Sequence, residues 1–468
     1  MKVPAAPLDL SVRRRLHVVG AGGPGMSAIA IVLAEMGHDV TGSDIRERSV
    51  LDRVRAAGAR VSVPHDRALV HDREAVTYST AIPDRNIELD EARTRGVPTL
   101  RRAGMLASIC AAARSLGVAG THGKTTTTSM LMLMLAEAGL RPSFVIGGDV
   151  ADMGTGAQWT GGEWLVVEAD ESDGTHLELP LRGTVLTNVD VDHLDHYGSV
   201  EAIVDGFAQY LAQVDGPRVV CLDDERCAAL ARALPCTTYG TSPGADYRAV
   251  GLVAEGGSFR FGVEHGGELL GEVVLPLRGV HNVRNATGAL ALALQIGVPF
   301  SAAAAALARF GGVARRFDIR ATDDGVTLVD DYAHLPQEIA AVLAAARQSG
   351  DGWSRVVAVF QPNRYNRMAA MWPEYRDAFV DADLVVLTDI YASGTAPIPG
   401  VTGKLVVNAV LDAHPSTRLA WMPRRPELVE YLAGVLRPGD VCISMGCGDI
   451  AALPDEVADA RRRRGGRP

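Results

Sequence analysis

The run Gly120-Thr-His-Gly-Lys-Thr125, extended by Thr126–Thr128, restricts the possible folds more than any other feature of the chain. The apolar strand signal Leu116–Ala119 leads into it and a helical pattern leads out. Backbone N–H groups gathered at a helix N-terminus attract anions. A lysine there neutralises β- and γ-phosphates, and the following hydroxyl ligates Mg²⁺. Val118 stands where the usual pattern G-x-x-x-x-G-K-[ST] has its first glycine. A chance G-K-T loop is the bland alternative. It is weakened by composition: the only lysines are Lys2, Lys124 and Lys404, against 46 basic residues in all.

Two further groups sit at the ends of apolar runs. Trp164–Val167 is followed by Glu168-Ala-Asp-Glu-Ser-Asp173. Carboxylates crowded in this way repel one another, and Mg²⁺ between them and phosphate oxygens is the expected remedy. Thr187-Asn-Val-Asp-Val-Asp-His-Leu-Asp195 reads as a second metal site or a substrate anchor. Nearer the N-terminus, Gly20-Ala-Gly-Gly-Pro-Gly25 follows the strand signal Leu16–Val19, and Asp44 comes later. By spacing this is a dinucleotide fingerprint, which alone suggests an NAD(P)-dependent oxidoreductase. The physics asks only for a diphosphate at a helix N-terminus, which a UDP-sugar also supplies. An oxidoreductase leaves the phosphate loop and the carboxylates unexplained.

The chain has 468 residues, enough for two to four domains at roughly 100–200 residues each. Strand and helix signals alternate in three stretches, implying α/β architecture with parallel sheets. The first holds Leu16–Val19, a helix over Met26–Met36, Val40–Gly42, a helix near Leu51–Ala57, and Ala75–Thr80. The second holds Leu116–Ala119, Trp164–Glu168 and Thr184–Asn188. The third holds Val326–Val329, Val356–Phe360, Leu384–Thr388 and Val441–Met445, with Ser393–Gly403 as a loop. The domains expected are 1–112, 113–314 and 315–468. A net charge of −10 argues against a dedicated nucleic-acid binder. The six cysteines form no C-x-x-C pair, and the N-terminus has no signal-peptide core, so a reduced cytoplasm is expected. No apolar run is long enough for a membrane span. The RRRR tail reads as a solvated end.

Ten segments occur in a telling order: Gly20–Ser27, Gly42–Asp44, Gly120–Thr128, Glu168–Asp173, Thr187–Asp195, Gly279–Ala286, Arg315–Asp318, Asp330–His334, Phe360–Arg364 and Ala396–Gly400. Together they resemble the Mur ligases of bacterial cell-wall synthesis, in the branch that adds alanine, over essentially the whole chain. The resemblance implies a Rossmann-like N-terminal domain for a UDP-sugar, a central P-loop ATPase-type domain, and a Rossmann-like C-terminal domain for an amino acid. It implies an ATP-dependent amide ligase acting on UDP-N-acetylmuramate and L-alanine through an acyl phosphate. The partners are then small molecules, and the protein a monomer or homodimer. A paralogue with the same chemistry on another acid or amine is the alternative.

The resemblance also implies residue roles. Gly120, Thr121, Gly123, Lys124, Thr125 and Thr126 cradle ATP, with His281, Asn282 and Asn285 near the adenine and Arg316 and Asp331 near ribose and phosphates. Thr125, Glu168 and His193 serve Mg²⁺ or Mn²⁺. Gly22, Gly23, Gly25, Met26, Ser27, Asp44, Ser79, Thr80 and Ala81 line the UDP site, and His122 lies by the sugar acid. Tyr332, Asn363, Arg364 and Arg367 approach the amine. Lys124, His122, Glu168, His193 and Arg316 carry the chemistry: a carboxylate is a poor electrophile until phosphorylated, and anionic phosphates must be screened before it attacks them. Some Mur ligases hold a second metal with a carbamylated lysine. No lysine lies between Lys124 and Lys404, which fits the alanine-adding branch. Departures from the family pattern are Leu335 and Asn363 for His, Gln337 for Thr, Gly156 for Asn, His176 for Phe, and Pro24 within the first glycine turn. They fall mostly where acid or amine is expected.

Overall fold

The computed structural model describes residues 7–192 and 194–465. It is α/β throughout, with three sheets. The chain forms two compact units. The first runs to Gly251 and adds Phe261–Leu275 and Val283–Gly311; the second comprises Leu252–Arg260, Pro276–Asn282 and the chain from Gly312.

The first unit opens with a five-stranded sheet ordered Arg60–Ser62, Asp39–Ser43, Arg15–Val19, Ala75–Tyr78, Thr99–Arg101, all parallel. The order reverses beside Arg15–Val19, so the loop after that strand lies at a topological switch point, where open α/β sheets bind ligands. The helix after it is Pro24–Glu35. Pro24 opens this helix, where its missing N–H leaves no bond unmade, and so does not break the glycine turn.

A second sheet has ten strands. Five of them, Arg218–Cys221, Thr184–Leu186, Arg114–Ala119, Trp164–Glu168 and Ser143–Val150, are adjacent and parallel. Register sets Leu186 beside Ala119 and Val118 beside Glu168. Three carboxyl-terminal strand ends therefore meet, one bearing the phosphate loop, one Glu168, one Thr187. Continuous apolar runs such as Trp-Leu-Val-Val form these strands because both faces are covered. Side-chain caps mark the helices: Asn86 accepts from the Glu88 and Leu89 N–H groups, Gly96 in the left-handed region ends that helix, and Ser199 and Asp224 start two others.

The second unit holds a six-stranded sheet ordered Asp318–Asp323, Val326–Asp331, Asp440–Met445, Arg355–Phe360, Leu384–Leu387, Leu419–Trp421. Only the first pair is antiparallel. Apolar clusters cover it on two sides. The segments 252–260 and 276–282 are tied to this body. Gly257 N–H donates to Ser349 O, and Arg278 pairs with Asp351 at 2.6 Å and stacks over Phe317 and Trp353. Among the described residues no helix is long and apolar enough to cross a membrane.

Candidate active site

The phosphate loop is held from one side by the segment after Thr184–Leu186. Thr187 Oγ1 and Asn188 Nδ2 both donate to His122 O, at 2.6 and 3.0 Å, and His122 N–H donates to Asn188 Oδ1 at 2.8 Å. His122 Nε2 lies 3.2 Å from Asp190 Oδ2. Two glycines permit the approach. A Cβ on Gly120 would sit 2.1 Å from Thr187 Oγ1, and one on Gly123 would sit 2.7 Å from Asn285 Oδ1. Thr187, Asn188 and Asp190 thus clasp the loop, in a segment whose sequence suggested a second metal site or a substrate anchor. His193, expected as a metal ligand, lies outside the described residues.

The helix Lys124–Glu137 starts at the loop, with Thr125 and Thr126 buried in its first turn. Lys124 Nζ donates to Gly120 O (2.6 Å), Thr121 O (3.2 Å) and both Glu171 oxygens (2.9 and 2.8 Å). Burial opposes its charge, but Glu171 and Asp170 outweigh burial and keep the ammonium protonated. Burial pushes Glu171 up to about 7 against the pull of Lys124.

The acidic turn differs from expectation. Arg102 Nη2 donates to Asp170 Oδ2 at 2.9 Å and Asp173 Oδ2 at 3.0 Å. Burial raises Asp170, but Lys124 and Arg102 together drive it well below the usual carboxylate range. Three of the four carboxylates are therefore balanced by protein cations, and among the described residues no group of three or more His, Cys, Asp or Glu is arranged to hold a metal. Glu168 also acts on Lys124, adding to the negative charge that keeps the ammonium protonated. It ends its strand and accepts the Gly147 N–H at 2.8 Å, and a Cβ at Gly147 would come 2.9 Å from Glu168 Oε2.

At the N-terminal glycine loop, Gly22 N–H donates to Asp44 Oδ2 at 2.8 Å. A Cβ on Gly22 would collide with that oxygen. Gly23 caps the following helix, and Gly25 lies in its first turn. Ser79 is half-buried and Thr80 and Ala81 are exposed, just past the neighbouring strand. Ser27 is buried in the helix, and Met26 points into the apolar core.

In the second unit, Asp331 is buried and accepts the N–H groups of Phe317 and Ala333, each at 2.7 Å; burial pushes it up to about 6. The Arg315 and Arg316 guanidinium groups lie over the Tyr332 ring. Arg315, Phe317 and Arg364 have positive φ, a strain that side chains accept only where neighbours enforce it. Asn363 is buried and accepts from Arg367 Nη1 at 3.2 Å. Arg364 N–H donates to Tyr391 O. Leu335 is 2% exposed and belongs to the apolar core. His281 and Asn282 belong to this unit, whereas Asn285 belongs to the first, against Gly123. Asn282 Nδ2 donates to Arg278 O.

The first unit carries a glycine loop with its lysine, a strand-end carboxylate and a second glycine loop at a sheet switch point, features that suit an enzyme working on phosphorylated nucleotides. Three family profiles match in sequence order: "Mur ligase family, catalytic domain" over 15–114, "Mur ligase middle domain" over 118–293 and "Mur ligase, glutamate ligase domain" over 315–448. The chain belongs to the Mur ligase family. It is 45% identical to the UDP-N-acetylmuramate–L-alanine ligase of Acidothermus cellulolyticus, covering 98% of this chain and 97% of that one. It is 43% identical to the ligase of the same name from Rubrobacter xylanophilus, covering 95% and 99%. The solved UDP-N-acetylmuramate–alanine ligase of Thermotoga maritima superposes with a TM-score of 0.80 at 28% identity, covering 97% of this chain and all of that one.

Proposed function

We propose that this protein joins the carboxylate of UDP-N-acetylmuramate to L-alanine, converting ATP to ADP and phosphate through an acyl phosphate. The observation that carries the reading is likeness to ligases of that name along nearly the full length, with the Lys124 loop intact. We read 1–112 as the UDP-sugar domain, 113–314 as the ATP domain and 315–468 as the amino-acid domain, working in the cytoplasm as monomer or homodimer.

The steps follow from charge. In the resting arrangement Glu171 neutralises Lys124. A triphosphate in the loop offers the lysine more negative charge, and Lys124 then screens the γ-phosphoryl as the sugar carboxylate attacks it. The loop N–H groups hold the phosphates, and Asn285 backs the loop at Gly123. His122, steadied by Asp190, stands by the sugar acid. Arg364 and Arg367 draw in the amino-acid carboxylate, and Asn363 orients Arg367. The amine, once neutral, attacks the acyl carbon and phosphate departs.

The donor set suits Mg²⁺ or Mn²⁺. One carboxylate, Glu168, stands at a strand end beside side-chain-free Gly147, and the Thr125 hydroxyl lies in the helix's first turn. Mg²⁺ keeps waters and takes few protein ligands, filling its shell with phosphate oxygens. When bound, the ion supplies charge screening for the transferring phosphoryl group.

The buried Asn363 favours one second reading, a paralogue with another amine. An imidazole there donates, accepts and carries charge; an amide only hydrogen-bonds. A buried partner left unpaired costs about 1–3 kcal/mol, tenfold to over a hundredfold in selectivity. One assay tests both. Phosphate release is followed with UDP-N-acetylmuramate, ATP and L-alanine, L-serine or glycine, in the native protein and Asn363→His, with and without excess chelator. L-alanine-dependent release that chelator stops supports the proposal. Release with another amine alone, shifted to L-alanine by Asn363→His, supports the paralogue; no release with the muramate sinks both assignments.

A further inference from the structure

Arg102 opens the helix Arg102–Ala111, and no motif of the sequence singles it out. Its Nη2 is spent on the acidic turn, donating to Asp170, Asp173 and Thr175 Oγ1. The other two nitrogens, Nε and Nη1, carry three N–H donors with no acceptor among the described residues. The Cδ–Nη1 side lies against the glycine loop: a Cβ on Gly25 would stand 3.2 Å from Arg102 Cδ and 3.5 Å from Nη1. A side chain at Gly25 would press on Arg102, which occupies the space beside it. The side chain is 21% exposed, so that side can be reached. Guanidinium donors in a fixed fork match phosphate oxygens, and the helix Pro24–Glu35 presents its positive end at the same loop.

We propose that Arg102 binds the diphosphate of the UDP-sugar through this unused edge while its Nη2 holds the acidic turn, so one side chain serves the sugar-nucleotide site and the turn that faces Lys124. The inference rests on reading Gly20–Gly25 as the UDP site. It has a consequence for order of binding. Asp170 and Glu171 are adjacent, and Glu171 grips Lys124, so filling the UDP site braces the turn next to the phosphate loop.

The test is equilibrium titration of UDP-N-acetylmuramate without ATP into the full-length protein, Arg102→Lys and Arg102→Met. A non-hydrolysable ATP analogue is titrated in parallel and melting is recorded. Arg102→Lys keeps a positive charge beside Asp170 and Asp173 but loses the fork. The expected result is a Kd for the UDP-sugar raised about tenfold or more in Arg102→Lys, with analogue affinity little changed. If Arg102→Met does not fold, Arg102→Lys decides. A smaller rise in the Lys variant, or a loss shared equally by both ligands, overturns the proposal and marks Arg102 as structural. A native protein that binds no UDP-sugar overturns the reading of the loop itself, a separate outcome.

Discussion

At the scale of single residues, charge and burial set function and stability. Among the described residues, Lys124 is the basic side chain that donates to the phosphate loop's own carbonyls. Lys124→Met is expected to cut ADP formation by about a hundredfold or more, the range for removing a group that stabilises transition-state charge. The melting temperature changes much less, because Glu171 can protonate at its raised pKa once its partner is gone. Retention of a tenth of native turnover would refute the role. His176 makes a different kind of statement. Its ring is fully buried between Phe207 and Tyr210, with neither nitrogen bonded among the described residues. Burial pulls its pKa down to about 4, with Asp170 and Asp173 opposing and Lys124 and His196 assisting. The unfolded chain takes up a proton near pH 6.5 and the folded one does not until about 4, so stability falls as pH drops through that window. The loss reaches about 3 kcal/mol at full effect. His176→Phe fills the same slot without the polar atoms and is expected to raise stability by about 1–3 kcal/mol at neutral pH. It should also flatten the acid-side loss. Denaturant unfolding at pH 7.5 and pH 5 measures both, and an unchanged pH slope would show that His176 finds a partner.

At the scale of elements, the phosphate loop works because it is braced. Gly123 has φ +81° and its would-be Cβ meets Asn285. Gly123→Ala combines left-handed strain of about 1–2 kcal/mol with that collision. The expected result is a KM for ATP raised about tenfold, with the KM for UDP-N-acetylmuramate nearly unchanged; equal rises in both would show general loosening instead. What the sequence made legible here is local. Strand, loop and helix at Leu116–Glu137 follow from the apolar run, the glycines and the helix formers, and the strand end at Glu168 from Trp-Leu-Val-Val before it. What it hid is long-range. Arg102 meets partners 68 and 71 residues away, and the Thr187–Asp190 clasp meets the loop across a similar gap. No spacing rule reaches so far. Crowded carboxylates suggested a cation because they repel one another; Arg102 and Lys124 answer part of that charge, and nothing in the local spacing pointed to Arg102. Leu335 was placed near acid or amine because it stands where the family pattern has His. Its apolar side chain follows the core.

At the scale of the whole molecule, the chain threads between its two units more often than its linear order suggests. Residues 252–260 and 276–282 lie within the matched middle profile, 118–293, yet belong to the second unit with the chain from Gly312 onward. A fragment starting at Gly312 would lack Arg278. Asp351 would lose its ion pair, and the Phe317 and Trp353 rings would lose the guanidinium that covers them. Such a fragment is expected to melt lower than one carrying a tethered 276–282 segment, and more than about 2 kcal/mol separating them in denaturant unfolding would fit the loss of a packed ion pair with its stacking. Equal stability would mean the two segments are passengers.

This threading also bears on how such enzymes exchange specificities. An exchange of the C-terminal third at a single crossover would set a foreign surface beneath a native Arg278. A graft of this body must move three pieces of chain together, so a lineage has an easier route to changing it through point substitutions than through recombination at one crossover.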